Sequence, residues 1–188
     1  MKNIFFTPKN RKLYTLVALV MAIALAGCSS KSYYSANNKN LQRFGGYQLE
    51  TANHLVKVND LEMLIIDLSE LAVAQSLQRD TYVAAQEVAD SFEKMKMETK
   101  MEAAIQRTTL SSTLSAESDK YLHRLTNTNR EDFDARYKNM LLAKFNELKT
   151  LIEDYDKNGH SDRVKELGDQ KVYKIQKHIK QFQGSGVI

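Results

Sequence analysis

The stretch "EDFDARYKNMLLAKFNELKTLIEDYDK", residues 131–157, carries the clearest fold signal in this chain of 188 residues. Its large apolar side chains recur three or four positions apart, as they do along the buried face of an α-helix. They are Phe133, Tyr137, Met140, Leu141, Phe145, Leu148, Leu151, Ile152 and Tyr155. We therefore predict a long amphipathic helix, helix C, whose apolar stripe must be covered by other helices.

The same spacing recurs in three other segments, which predict helix A over 48–76, helix B over 81–107 and helix D over 161–183. Ser115 is expected to start a short extra helix that runs to Leu125, between helices B and C. Each of helices A, B and D has a predicted buried stripe. In helix A it consists of His54, Leu55, Val58, Leu61, Leu64, Ile65, Leu68, Leu71 and Ala72. In helix B it consists of Ala85, Val88, Ala89, Phe92 and Met95, and in helix D of Val164, Leu167, Val172, Ile175, Ile179 and Phe182.

Proline and glycine are almost missing from this region. The only proline, Pro8, lies near the start of the chain, and only Gly159 and Gly168 fall within residues 47–183. Strand-rich proteins use these residues in their many turns, so the composition favours long helices. We predict an all-α fold, an antiparallel four-helix bundle over residues 47–183 with an apolar and chemically inert interior.

The N-terminal segment has the parts of a secretory signal. Four basic residues, Lys2, Lys9, Arg11 and Lys12, precede the apolar run Leu13 to Gly27, which ends in small residues. The run is shorter than the roughly 20 apolar residues that a membrane span needs. Residues 1–27 are therefore predicted to be a signal peptide.

The end of this segment, Leu25-Ala26-Gly27-Cys28, resembles the bacterial lipobox, and Cys28 is the only cysteine of the chain. The resemblance implies cleavage before Cys28, a diacylglyceryl thioether on its sulfur and an acylated amine, and two or more acyl chains anchor a protein stably. Ser29, in place of aspartate, implies sorting to the outer membrane of a Gram-negative cell, at its periplasmic face. The alternative is an uncleaved anchor helix with a buried free thiol.

The mature chain would be electrically balanced. Removing residues 1–27 removes four of the 27 Lys and Arg and none of the 23 Asp and Glu, which leaves 23 of each. The broad basic surface that nucleic-acid binding requires is then missing. With Cys28 lipidated, disulfides, zinc–thiolate sites and cysteine nucleophiles are also excluded. Residues 28–46 are predicted to be a flexible tether and residues 184–188 a loose tail.

The motif Phe133-Asp134-Ala135-Arg136-Tyr137 matches a Phe-Asp-x-x-Tyr pattern, with weaker support from "SELAVAQS" (69–76) and "TYVAAQEVADSF" (81–92). On these residues the chain resembles an uncharacterised ferritin-like family of helical bundles from the bacterial envelope, over about residues 47–183. The resemblance implies a four-helix bundle. Asp134 is expected to buttress it through a hydrogen bond.

The chain departs from that family at the polar positions of the interior. The family's glutamate in helix A and its histidines in helices B, C and D align with Ile65, Phe92, Phe145 and His178. Isoleucine and phenylalanine have no lone pairs for a metal, and the Glu-x-x-His spacing of di-iron bundles does not occur. A di-iron oxidase is therefore disfavoured.

A metal site has only weak candidates. His54 and His178 lie near the apolar faces of helices A and D, where they could approach each other to bind a metal or sense pH. Hydrogen-bonded tips at the bundle edge are the preferred interpretation. Met97 and Met101 share a helix face, and thioethers select Cu(I), but methionine is more often core filler. We therefore expect no metal or other cofactor beyond the covalent lipid.

Lysines at every third position of helix D, Lys171, Lys174, Lys177 and Lys180, predict a basic face that is solvated or contacts lipopolysaccharide phosphates or an acidic partner. No nucleophile elbow, phosphate loop or catalytic triad is recognisable. The sequence therefore favours a non-catalytic, lipid-anchored envelope protein that acts structurally or binds an unidentified periplasmic protein. The alternative is a ligand or metal carrier that uses the bundle interior.

Overall fold

The computed structural model of the protein describes residues 32–184, and these residues form helices without any strand. The predicted signal peptide, including Leu25, Ala26 and Gly27, lies outside the described residues, as do Cys28 and the tail from residue 185. In chain order the helices are α1 (Tyr33–Arg43), α2 (Gly46–Gln75), α3 (Arg79–Ile105), α4 (Ala116–Thr126), α5 (Phe133–Asn158) and α6 (Asp162–Gly184). Among residues 32–184, no helix is both long enough and apolar enough to span a membrane.

The predicted helices A, B, C and D correspond to α2, α3, α5 and α6, and each predicted boundary lies within two residues of the observed one. The predicted short helix is α4. The Ser115 hydroxyl caps its first turn by accepting a hydrogen bond from the Ser118 N–H at 3.1 Å. An amphipathic stripe and a serine cap are local signals, which is why the sequence was sufficient to place these elements.

Helix α1 contradicts the prediction that residues 28–46 form a flexible tether. Ser32 caps the helix by accepting a hydrogen bond from the Ser35 N–H. Ala36 and Asn40 are fully buried, and α1 packs on α2. The Asn40 carboxamide pairs with both backbone groups of Thr109, accepting from the N–H at 2.8 Å and donating to the carbonyl at 2.9 Å. Residues 33–43 are therefore a docked part of the domain.

Helix α2 is the central element of the fold. It contacts α1, α3, α4 and α5, while α6 packs on α3 and α5. Apolar side chains of α2, α3, α5 and α6 form one core with Leu125 of α4. Most of the predicted apolar positions are buried in the core, and those that remain half-buried at its margin are Leu71, Ala89, Met140, Leu151, Leu167, Val172 and Ile179.

The Phe-Asp-x-x-Tyr motif fixes the start of α5 against the end of α2. Asp134 accepts a hydrogen bond from the Ser76 hydroxyl at 2.5 Å and two from the N–H groups of Leu77 and Gln78 at 3.3 Å. Tyr137 donates to the Ser69 hydroxyl at 3.1 Å in the core. The expected buttressing role of Asp134 is confirmed: its carboxylate holds the connection between α2 and α3.

Candidate functional site

A charged cluster lies between α2, α3 and α6, where the sequence predicted an inert apolar interior. Its members are Glu62, Thr99 and Lys171, whose exposed fractions are 0%, 0% and 1%. The Lys171 ammonium donates hydrogen bonds to a Glu62 carboxylate oxygen, to the Thr99 hydroxyl at 2.6 Å and to the Met95 carbonyl at 2.7 Å. The Thr99 hydroxyl in turn lies 2.6 Å from the second carboxylate oxygen of Glu62.

Every strong hydrogen-bonding group of this cluster has a partner within it. An ammonium carries three N–H donors, and Lys171 has three acceptors. Both oxygens of Glu62 are also engaged. Burial raises the pKa of Glu62, and the adjacent Lys171 ammonium opposes that shift. A ligand could enter only by displacing one of these internal bonds, so the arrangement serves to fasten three helices together.

The position of Lys171 contradicts the predicted basic face. Residues three apart on a helix are turned by about 300°, so the direction drifts by about 60° per step and reverses over nine residues. Lys171 accordingly lies in the core, whereas Lys174 is half-buried and pairs with Glu98 at 2.8 Å. Only Lys177 and Lys180 are exposed, and they share one side of α6 with Tyr173, which is 74% exposed.

The sequence contained a signal for the charged cluster that its apolar pattern obscured. Glu62 follows Val58 by four residues and precedes Ile65 by three, so it lies in the apolar stripe of its helix. Lys171 likewise precedes Ile175 by four residues. Opposite charges in two stripes that face one core indicate a buried ion pair, since an unpaired buried charge is very costly.

His54 is buried close to the charged cluster. Its ring stacks on Tyr155 with centroids 4.1 Å apart, and the Tyr155 hydroxyl bonds the Thr51 hydroxyl at 2.7 Å. Burial, and secondarily the charges of Lys171 and Lys57, lower the pKa of His54 to about 4. The imidazole is therefore neutral at physiological pH. It lines a surface groove of about 530 Å³ between α2 and α5.

His178 lies in a different, aromatic environment. Its ring centroid is 6.0 Å from that of Phe92 and 5.9 Å from that of Phe145, and the two phenyl rings are 5.4 Å apart. Burial lowers the pKa of His178, and a hydrogen bond with the Gln181 side chain opposes that shift. Within the described residues the Nδ1 atom has no hydrogen-bond partner. The structure thus brings Phe92, Phe145 and His178 together, and Ile65 belongs to the same core as the two phenylalanines.

The four weak metal candidates do not form one site. His54 contacts Tyr155 and His178 contacts Phe145, positions about 15 Å apart along α5. Met97 and Met101 are on the surface of α3, with exposed fractions of 55% and 62%. Residues 32–184 contain no group of three or more His, Cys, Asp or Glu side chains arranged to hold a metal ion.

A second cavity, of about 520 Å³, lies beside α4, and three of the charged side chains that line it, Asp60, Lys144 and Glu147, have partners among the lining residues. Asp60 accepts hydrogen bonds at 2.7 Å from the Ser115 N–H and from the hydroxyls of Ser115 and Ser118. Lys144 pairs with Glu147 at 2.7 Å, and its ammonium lies 3.5 Å from the centre of the Tyr121 ring. These contacts hold α4 against α2 and α5.

Comparison with known proteins finds one family. A family model described as a domain of unknown function (DUF4142) matches residues 38–184, from within α1 to the end of α6. No curated protein matches the chain, and no solved structure does.

Proposed function

The chain belongs to the DUF4142 family, and we propose that this member is a lipid-anchored, non-catalytic protein of the bacterial envelope that acts as a structural or partner-binding module. In this proposal α2, α3, α5 and α6 form an antiparallel, ferritin-like four-helix bundle, to which α1 and α4 are added. Residues 1–27 are a signal peptide, and lipid on Cys28 attaches the domain to the periplasmic face of the outer membrane.

The observation that carries the non-catalytic role is the saturation of the interior charges. The Lys171 ammonium has all three of its donors bonded inside the protein, to Glu62, Thr99 and the Met95 carbonyl. Catalytic groups need a free lone pair or proton within reach of a substrate. The buried charges of this core support mechanical fastening instead.

One surface that could receive a partner is the outer side of α6. Tyr173, Lys177 and Lys180 recur at intervals of four and three residues and are all exposed. An aromatic ring flanked by two cations suits an acidic protein surface, because tyrosine supplies contact area and lysine supplies charge complementarity. We name this set the α6 face.

The anchor is tested in cells by fractionation. We expect the natural chain in the outer membrane, and Cys28→Ser either released or left unprocessed, since no thioether can form. Ser29→Asp is the matched control, because it keeps the lipid but is expected to retain the protein in the inner membrane. A processed, membrane-bound Cys28→Ser product would contradict the proposal.

Partner binding is tested by placing a photo-crosslinking amino acid at position 173 in intact cells. We expect one dominant adduct with a periplasmic protein, weakened when Lys177 and Lys180 are both changed to glutamate. The same amino acid at position 120 of α4, which is also exposed, is the control. Identical adducts at both positions, or none at either, would contradict a partner role for the α6 face.

One observation favours a second candidate function, a periplasmic carrier of a metal or other ligand. The Nδ1 atom of His178 is buried without a hydrogen-bond partner in the described region, which leaves a potential ligand atom unused. Loading the purified protein with Cu(I) or iron tests this alternative. Stoichiometric metal that is lost in His178→Ala would support the carrier, whereas we expect the two proteins to retain equally little.

A further inference from the structure

The outward side of α1 carries two large exposed apolar side chains. Tyr34 is 75% exposed and Leu41 is 62% exposed, and their separation of seven residues places them on the same side of the helix. The opposite side, with Ala36 and Asn40, faces the rest of the domain and is fully buried. Tyr34 and Leu41 thus form a short apolar strip, which we name the α1 strip.

The charges carried by α1 and its flanking residues are all positive. The acidic side chains near the helix, Asp60 and Glu117, face Tyr33 rather than the α1 strip. Between residues 29 and 49 the chain contains Lys31, Lys39 and Arg43 and no aspartate or glutamate. Aromatic and aliphatic side chains beside lysine and arginine are the combination with which surface helices bind membranes that contain anionic lipids. This local charge contrasts with the balanced charge of the mature chain, which has 23 basic and 23 acidic residues after removal of 1–27.

The covalent chain limits how far α1 can be from the lipid. Five Cα–Cα steps separate Cys28 from Tyr33, the first residue of α1, and an extended chain covers at most about 17 Å in five steps. The 11 residues of α1 are themselves about 16 Å long. Once Cys28 carries its acyl chains, the helix is confined to within about its own length of the headgroups.

We propose that α1 lies on the membrane surface, with Tyr34 and Leu41 in the headgroup region of the bilayer. The proposal rests on the lipid anchor of the proposed function and adds a defined orientation to it. Because Asn40 fixes α1 to the segment after α3, and α1 packs on α2, a docked α1 orients the whole domain. Helix α6 packs on α3 and α5, which leaves the α6 face available to a partner.

The test uses a fluorophore attached to one cysteine at a time. In the acylated full chain Cys28 is blocked, so Tyr34→Cys introduces the only free thiol. The thiol is labelled with an environment-sensitive fluorophore, and the protein is reconstituted in vesicles of phosphatidylethanolamine and phosphatidylglycerol. We expect emission to rise severalfold and to be quenched by nitroxide-labelled lipids. Tyr173→Cys, with a natural residue of nearly equal exposure at 74%, is the control and should not respond.

The outcomes separate the strip from the anchor. If the protein floats with the vesicles but the fluorescence of the label at position 34 does not change, membrane docking of α1 is overturned and the anchor stays intact. A second labelled thiol, at Cys28, would contradict the anchor, and a response at position 34 in that unacylated protein would still support docking. Equal responses at positions 34 and 173 would overturn a defined orientation, and a response that needs only high protein concentration would assign the α1 strip to a second copy. Leu41→Cys should reproduce the Tyr34 result, and circular dichroism verifies the helical fold of each variant.

Discussion

Lys171 illustrates how a single residue can change the interpretation of a helix. Removing Lys171 and Glu62 from water costs several kcal/mol for each ion, and their attraction and hydrogen bonds offset this cost only when the geometry is complete. Here it is complete, because the Thr99 hydroxyl and the Met95 carbonyl take the remaining donors. We therefore expect the pair to specify which helices meet more than to add stability.

Removing one charge of the pair should be strongly destabilising. Lys171→Met leaves Glu62 buried without its counter-charge, and we expect the free energy of unfolding in urea to fall by about 3–5 kcal/mol. Changing Glu62 to leucine in the same protein should restore most of the loss. Lys177→Met, at an exposed position of α6, is the control and should change stability by less than about 0.5 kcal/mol. Equal urea midpoints for the two lysine variants would show that Lys171 is not a buried ion.

His54 should make stability depend on pH. Because burial lowers its pKa from 6.5 to about 4, the unfolded chain takes up a proton at higher pH than the native one. The stability that neutral His54 contributes is therefore lost as the pH falls from about 6.5 to about 4, by about 2 kcal/mol between about pH 7 and about pH 5. Urea unfolding of the natural chain and of His54→Asn at both pH values measures this difference.

The comparison between the two proteins isolates His54 from other titrating groups. Asp67 has a pKa raised to about 6, mainly by burial, so its own contribution to stability increases on acidification and opposes that of His54. Asp67 is present in both proteins and cancels in the difference. An identical pH dependence in the natural chain and His54→Asn would contradict the buried, neutral state of this imidazole.

At the scale of the element, α1 is part of the domain through long-range contacts, namely the burial of Ala36 and the hydrogen bonds of Asn40 and Arg43 to the segment after α3. The sequence "YYSANNKNLQR" directs few apolar side chains toward the domain, and the amide of Asn40 bonds both partly buried backbone groups of Thr109. Such a pair between residues 69 positions apart leaves no periodic signal in the sequence. The long helices were predictable to within two residues because their stripes are local, whereas α1 depends on a distant contact.

Asn40→Ala should release α1 from the domain. The substitution removes the Asn40 partners of the partly buried N–H and carbonyl of Thr109, which costs about 1–3 kcal/mol for each group that water cannot reach. We expect faster amide hydrogen exchange throughout Tyr33–Arg43 and a lower urea midpoint. Asn38→Ala, a half-buried position in the same helix, makes the same change in helix propensity without the contact to Thr109. Equal exchange rates in the two variants would restore the tether interpretation.

For the molecule as a whole, the sequence predicted the helices and much of the core but not the organisation of its polar groups. Phe92, Phe145 and His178, which lie in three different helices, contact one another in the structure. Four lysines at regular intervals suggested one face, but helical geometry divides them between core and surface. The spacing of residues in the sequence indicates which side of a helix each side chain faces. It does not indicate which charged side chains pair with residues of other helices.

The molecule is a helical domain whose buried Glu62 and Lys171 are fully hydrogen-bonded. We propose that lipid on Cys28 holds this domain at the membrane and that α1 orients it. Its components depend on the anchor to different degrees. The Glu62–Lys171 pair and the Asn40 contact belong to the domain itself, whereas the orientation by α1 has meaning only beside a bilayer. The state of the N-terminus is therefore the most direct test.

That test is mass spectrometry of the N-terminal peptide of the protein extracted from outer membranes. We predict that residues 1–27 are absent and that the chain begins at Cys28, which carries a thioether-linked diacylglycerol and an amide-linked acyl chain. A chain that begins at Met1, or a Cys28 that still holds a free thiol, would contradict the lipid anchor.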